Sequence, residues 1–401
     1  MLNQKSSFWK AILILALCFA LVSCAPGKPN APVPVDPPAP VSDVIRIGVF
    51  EPLTGGWSTG GIEELEGLAI AHKLNPEILG KPVELIVADN RSSTEETIRA
   101  VEYLIKEKQV SALIGSWGSS LSIAGGIISE EKRVPTIGIS CTHPYITSEN
   151  DYYFRMCYTD AFQGLVLANY AYTELGARRA ALIYEVANDY SVGLTQEFAK
   201  YFSALCGGTD CIVAQAHYAS GEHDFSDVVE QVMPFEPDIL FTPGILEESV
   251  ALIRQFCQSG SRIPILGGDT WDTPEFTAAI GSPDCPVIYS GFHTPIDMTL
   301  EENIRFLTEF RDTYGKEPTS VHRLAYDAYG LVLHAIEAAG TADPEEIRRV
   351  IANMEAYDGI VGQTRFSPDG DAMRLAIIKE IVSGSSIKRK IYEYSNFSPP
   401  R

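Results

Sequence analysis

The strongest constraint on this chain is a rhythm of short apolar runs alternating with helical stretches, which restarts halfway along. Val44 to Phe50 alternates as a strand, and Glu63 to Asn75 reads as an amphipathic helix. Val83 to Ala88 is a second strand, and Ser93 to Lys108 has the cap, acidic first turn and spacing of a surface helix. Ser111 to Gly115 and Pro135 to Ser140 are short buried strands separated by a helix over Leu121 to Lys132. The pattern begins again at Arg179 to Tyr184 and continues through Ile212 to His217, Asp238 to Thr242, Ile263 to Leu266 and Val287 to Gly291. Apolar strands separated by helices make a parallel sheet covered on both faces. The fold class expected is therefore α/β, as two doubly wound parallel-sheet lobes. A long helix follows over Ser320 to Gly340, and Asp343-Pro344 opens another. Gly362 to Phe366 and Arg374 to Ile381 read as an antiparallel pair, continued by Lys388 to Tyr394.

The N-terminus belongs to export rather than to fold. Lys5 and Lys10 precede an uncharged apolar run from Ala11 to Val22, and small residues lead into Cys24. Residues 1–23 thus have the layout of a secretory signal peptide, with an apolar core short of the ~20 residues that span a bilayer. Leu21-Val22-Ser23-Cys24 resembles the lipobox of bacterial lipoproteins, which makes Cys24 the lipidated residue. Residues 24–43 are proline-rich and predict an extended spacer. The expected localisation is extracytoplasmic, tethered to the membrane through lipid alone.

The ~350 residues that remain exceed what a single core usually organises. Charge narrows the partners: 52 acidic side chains stand against 31 basic ones, a formal net charge of −21. Such a surface argues against nucleic acid and against an anionic membrane footprint. Six cysteines lie beyond Cys24, and the turn between Cys206 and Cys211 could bring that pair within bridging distance.

Ligands of open parallel sheets sit beyond the carboxyl ends of the strands, where loops converge and helix N-termini present unpaired amides. After the strand ending at Gly115 comes Ser116-Trp117-Gly118-Ser119-Ser120, which enters a helix; after Ile139 comes Ser140-Cys141-Thr142-His143-Pro144. Hydroxyls, amides and a helix dipole together make a cradle for a carboxylate. Ser119 and Ser120 also suit a plain helix cap, and Thr142 a plain turn. In the second run, Asn188, Asp189 and Tyr190, then Pro243, Gly244 and Ile245, then Asp269, Thr270 and Trp271 occupy equivalent positions. One acid among aromatic residues suits an ammonium group, though Asp269 could also cap a helix near Pro274. Trp57, after the first strand, could wall the same cleft or pack on its own lobe.

Taken together, Leu113-Ile-Gly-Ser-Trp-Gly-Ser-Ser, Arg133-Val-Pro-Thr-Ile-Gly-Ile-Ser-Cys-Thr-His-Pro and Asn188-Asp-Tyr-Ser-Val-Gly resemble the branched-chain amino-acid (leucine/isoleucine/valine) binding proteins of type I periplasmic fold, substrate-binding subunits of ABC transporters. Tyr326-Asp-Ala and Gly359 to Gly370 are similar to that family as well. The resemblance implies two lobes joined by a hinge with three chain crossings: lobe 1 over residues 44–165 plus about 293–340, lobe 2 over 166–292 plus about 341–395. It implies that Ser119 and the turn Ser140 to Thr142 hold an α-carboxylate and share the ammonium, that Tyr190 reaches in from lobe 2, and that Asp269 pairs with the ammonium. Ile245 falls where many relatives carry an aromatic residue, Ser191 where glycine is usual, and Trp117 and Trp271 add bulk. These departures extend the expected ligand from branched-chain amino acids to larger or aromatic ones and to related carboxylates. The resemblance also implies ABC permease subunits as partners, with a ligand-presenting sensor as the alternative role.

An enzyme is not expected. Cys141 and His143 are two apart on an extended turn and point opposite ways, with no third group to orient them. His217, Glu222, His223 and Asp224 match no zinc spacing, so no metal is expected. Neither a phosphate loop nor a dinucleotide fingerprint occurs, so no cofactor is expected either.

Overall fold

The first apolar run becomes strand β1 (Ile45–Glu51), and in the computed structural model, which describes residues 43–394, Ile47, Val49 and Phe50 have no exposed surface. A strand with nothing exposed on either face needs a helix layer on each. Ile45, Ile47 and Val49 pack toward Leu68 and Ala71 of α1 (Ser58–Leu74), while Phe50 packs with Val101 and Leu104 of α2 (Thr94–Lys106). The first sheet adds β2 (Glu77–Ile78), β3 (Lys81–Asp89), β4 (Ala112–Ile114), β5 (Thr136–Gly138) and β6 (Tyr153–Arg155), in the order β2-β3-β1-β4-β5-β6. All its pairings are parallel except β2 with β3. Helix α3 (Ser119–Glu131) connects β4 to β5.

The second sheet is laid out alike. Helix α4 (Asp160–Thr173) leads into β7 (Ala180–Glu185), α5 (Asp189–Cys206), β8 (Ile212–Tyr218), α6 (Ser226–Val232), β9 (Ile239–Phe241), α7 (Leu246–Gln258), β10 (Ile265–Gly267), α8 (Pro274–Ile280) and β11 (Val287–Phe292). After α9 (Glu301–Tyr314), α10 (Ser320–Ala339), α11 (Pro344–Ala352) and the hairpin β12 (Tyr357–Gly359) and β13 (Gly362–Thr364), strands β14 (Ala376–Val382) and β15 (Ser385–Tyr392) complete it. The order is β15-β14-β11-β10-β9-β7-β8, antiparallel only at β14 and β15. Strand order reverses between β1 and β4 in one sheet and between β7 and β9 in the other, and clefts form at such reversals.

Three segments link the lobes and lie against one another. Arg155 N donates to Gly370 O (3.0 Å), Arg374 Nε to Met156 O (2.5 Å) and His293 N to Leu375 O (3.3 Å). Helix α11 stays with lobe 1, although the sequence assigned residues 341–395 to lobe 2: Glu345 accepts from Arg133 (2.6 Å) and from the Tyr152 hydroxyl (2.5 Å). The expected pairing of residues 362–366 with 374–381 is also corrected. Residues between them are used in the crossing, so β13 folds back on β12 and β14 pairs with β11 and β15, while the two stretches meet through the bridge Phe366 to Ala372, Met373 N donating to Arg365 O (2.9 Å) and Arg374 donating to the Thr364 hydroxyl. Helix α1 starts at Ser58 rather than Glu63, running through Gly60 and Gly61 because a Cβ there would meet the Trp117 ring and Pro52. Tertiary packing outweighs glycine's weak helix propensity at that turn.

Cys206 and Cys211 are free thiols; the disulfide joins Cys257 on α7 to Cys285, with Cα atoms 5.8 Å apart. Closing a loop of that sequence separation (28 residues) should stabilise lobe 2 by about 3–4 kcal/mol in the chain-entropy picture. Urea denaturation with and without dithiothreitol should show that loss, and superimposable curves would mean the bridge carries no stability. The signal peptide, Cys24 and the spacer up to residue 42 lie outside the described residues. Among the described residues no helix is long and apolar enough to cross a membrane.

Candidate functional site

Lobe 1 brings three loops together at strand ends. The β1–α1 loop is tied down by Asp89, whose carboxylate accepts from Leu53 N (2.9 Å) and Thr54 Oγ1 (2.7 Å), and by Ser92 Oγ, which accepts from Trp57 N (3.1 Å). After β4, Trp117 N donates to Glu51 Oε2 (2.6 Å). Trp57 and Trp117 meet edge to face, ring centroids 6.2 Å apart, and each needs a glycine opposite. A Cβ on Gly118, at φ +91°, would touch Trp57, as one on Gly60 would touch Trp117.

Ser119 begins α3, and its Oγ accepts from His143 N (3.3 Å), which binds the helix N-terminus to the turn after β5. In that turn Ser140 Oγ donates to Glu64 Oε1 (2.5 Å). Thr142 Oγ1 lies against the Asp160 carboxyl, on a residue only 1 % exposed. Glu51 and Glu64 stand fully buried behind this wall. Burial pushes Glu64 up to about 8, and burial with the neighbouring Glu64 carboxyl raises Glu51 well above the usual range.

The lobe 2 half is built around Asp269. Tyr190 OH donates to Asp269 Oδ1 (3.0 Å), as does Gln163 Nε2 (2.6 Å), while Gln163 Oε1 accepts from Asp269 N (3.1 Å) and Ser290 Oγ (2.9 Å). Asn188 caps α5, accepting from Tyr190 N (3.1 Å) and Ser191 N (3.3 Å), and so orients the tyrosine. Burial pushes the Asp269 carboxyl up to about 7, against the lowering effect of the Tyr190 hydrogen bond.

These halves face each other across a cavity lined by Trp57, Trp117, Ser119, Ser140, Cys141, Thr142, Tyr190, Ile245 and Asp269, together with Gly118, Asn188 and Thr270. Two residues singled out in the sequence lie elsewhere. Ser120 Oγ accepts from Asp189 N (3.2 Å), so it joins the first turns of α3 and α5 and thereby the two lobes. Trp271 is fully buried in lobe 2, stacked on Phe276 (4.8 Å) with Nε1 donating to Ser249 Oγ (3.0 Å). Asp269 to Trp271 form a 3-10 turn of about three residues per turn, so side chains two apart point away from each other. Gln163 carries no signal of its own in the sequence, being one of several polar residues in a mostly apolar helix; Asn188 is legible as a cap.

The family model described as periplasmic binding protein matches residues 44–385. The Leu/Ile/Val-binding protein homolog 2 of Brucella abortus is 25% identical over 333 residues, covering 82% of this chain and 87% of that protein. Among solved structures, a leucine-binding protein from Thermotoga maritima superimposes with a TM-score of 0.81 at 33% identity, over 88% of this chain and 100% of its own. The branched-chain amino acid transporter substrate-binding protein from Streptococcus pneumoniae, in complex with isoleucine, does so with a TM-score of 0.76 at 26% identity, over 87% of this chain and 99% of its own. These relatives are substrate-binding proteins rather than enzymes.

Proposed function

We propose, because this chain belongs to the periplasmic binding protein family, that it captures an α-amino acid between its lobes outside the cytoplasm and delivers it to the permease of an ABC importer. The observation that carries this reading is the opposition, across one cavity, of the hydroxyls of Ser119, Ser140 and Thr142 to the buried carboxyl of Asp269. The polarity of the hydroxyls supports an amino acid. Ser119 already accepts from His143 N, so its own proton is available to a carboxylate; Ser140 already donates to Glu64, so its lone pairs are available to an ammonium. Asp269 then supplies the counter-charge, held by Tyr190 and Gln163. A ligand touching both halves favours the closed arrangement by its differential affinity. A thermal-shift panel of the common amino acids and small aromatic acids tests this. Saturation at 100 times the dissociation constant should add about 2.7 kcal/mol of stability, and a panel with no amino-acid response would overturn the reading.

Binding should also depend on pH in a defined direction. In the ligand-free protein Asp269 titrates near 7, so below that pH it is mostly protonated. An arriving ammonium favours the ionised form and must expel the proton. Affinity for amino acids is therefore full above pH 7 and falls by up to about tenfold per unit as pH drops toward 5. Titration calorimetry at pH 8, 7, 6 and 5 gives the slope, and affinity that rises with acidification would exclude Asp269 as the ammonium partner.

The N-terminal segment supports a tethered form of this protein, exported by residues 1–23 and lipidated at Cys24 ahead of a proline-rich spacer. Metabolic labelling with an alkyne fatty acid should tag the protein and should fail in Cys24→Ala.

A further inference from the structure

Two acids stand against each other behind the lobe 1 wall. Glu51 ends β1 and Glu64 lies on the buried side of α1, and neither has any exposed surface. Each holds a different loop of the wall. Glu51 Oε2 accepts from Trp117 N (2.6 Å) and Ser116 Oγ (3.4 Å) after β4, and Glu64 Oε1 accepts from Ser140 Oγ (2.5 Å) after β5. The remaining oxygens, Glu51 Oε1 and Glu64 Oε2, have no other partner, and the two carboxyl groups are within hydrogen-bonding reach of each other. Room for this meeting comes from Gly115, where a Cβ would fall 2.8 Å from Glu51 Oε1. The titratable neighbours that act most strongly on the pair are the Cys141 thiol and Glu63, neither of them a cation.

Two ionised carboxylates touching in a dry interior repel each other with nothing to offset the cost, which is why such pairs hold one proton between them. That proton removes one charge and turns the contact into a charge-assisted hydrogen bond. Its place is set by the outer partners. A backbone N–H can only donate, so the Glu51 oxygen facing Trp117 carries no proton. The shared proton therefore lies between Glu51 Oε1 and Glu64 Oε2, and Glu64 Oε1 is left bare toward Ser140. The Ser140 hydroxyl must then aim its hydrogen at Glu64 and its lone pairs at the cavity it lines.

We infer that Glu51 and Glu64 hold one proton in common and through it fix Ser140 as a hydrogen-bond acceptor toward the ligand, so that a buried pair which never touches the ligand selects for its amine. The inference rests on the amino-acid reading of the cavity and deepens it. An amide in place of either acid reproduces the one-proton arrangement, since its NH2 donates to the remaining carboxylate while its carbonyl oxygen keeps the outer bond. Amides in place of both turn one NH2 toward Ser140 and drive the hydroxyl hydrogen out into the cavity. Glu51→Gln, Glu64→Gln and the double variant thus form a cycle whose coupling is the test. In isothermal titration with the common L-amino acids, the double variant should lose at least tenfold more affinity than the product of the two single losses. Isocaproate and hydrocinnamate, the amine-free counterparts of leucine and phenylalanine, should not share that loss. Infrared difference spectra in deuterated water read the proton itself: each single substitution should remove the same one protonated-carboxyl C=O band, and the double variant no second one. Should the double variant not fold, Ser140→Ala should weaken amino-acid binding tenfold or more and the amine-free acids less than threefold. Multiplicative single effects, or two separate protonated-carboxyl bands, overturn the shared proton. An equal loss for ligands with and without an amine overturns the role of Ser140 and leaves the amino-acid reading intact. Failure of every common amino acid to bind the unaltered protein overturns that reading as well.

Discussion

Asp269→Asn should weaken amino-acid binding by about 2–5 kcal/mol, the range observed when one member of a buried charge pair is removed. Asparagine keeps the size of the side chain and can still accept from Tyr190 and Gln163 through its carbonyl oxygen, so the turn after β10 retains its shape. What disappears is the charge opposite the ammonium, in a cavity where little water is available to replace it. Calorimetry should register the loss for amino acids and almost none for carboxylates that lack an amine. A dissociation constant within threefold of the unaltered protein would place the ammonium elsewhere. The pH profile of the Asn variant should also be shallower between 5 and 8 than that of the unaltered protein, which separates lost charge from disturbed geometry.

Trp271→Ala should behave in the opposite way, with a large effect on stability and a small one on recognition. The indole is completely buried, stacks on Phe276, donates to Ser249 and sits against Gly267, where a Cβ would fall 2.5 Å from the ring. Truncating such a side chain removes its transfer free energy and leaves a cavity, together costing about 3–5 kcal/mol. Urea denaturation should report that loss, while ligand affinity measured in the folded range stays within a few-fold. Trp271→Phe should recover part of the stability, because the stacking surface survives and only the Ser249 hydrogen bond and some volume are lost. A tenfold loss of affinity at unchanged stability would return Trp271 to the ligand wall.

The contrast between Asp269 and Trp271 shows where reading a sequence stops. They are two residues apart, both follow a strand end, and both are of types that bind ligands, so position and chemistry alone rank them together. Their separation comes from a single turn of 3-10 backbone, which sends one side chain into the cleft and the other into the core. Ser119 and Ser120 divide likewise: the first lines the cavity, while the second is claimed by Asp189 N from the other lobe, a contact 69 residues away in the chain.

Local pattern was sufficient for the alternation of strands and helices, for the parallel sheets it entails and for the loops that line the cavity, because hydrophobic period and strand-end position are properties of short segments. Tertiary structure alone decided which of those loop residues face one another, that Gln163 from α4 holds Asp269, that Cys257 rather than Cys206 is bridged, and that Glu63 reaches the cleft from a helix that begins a turn earlier than its glycines suggest. Each of these depends on groups distant in sequence meeting in space, and the energies that favour one meeting over another arise only once both lobes are packed.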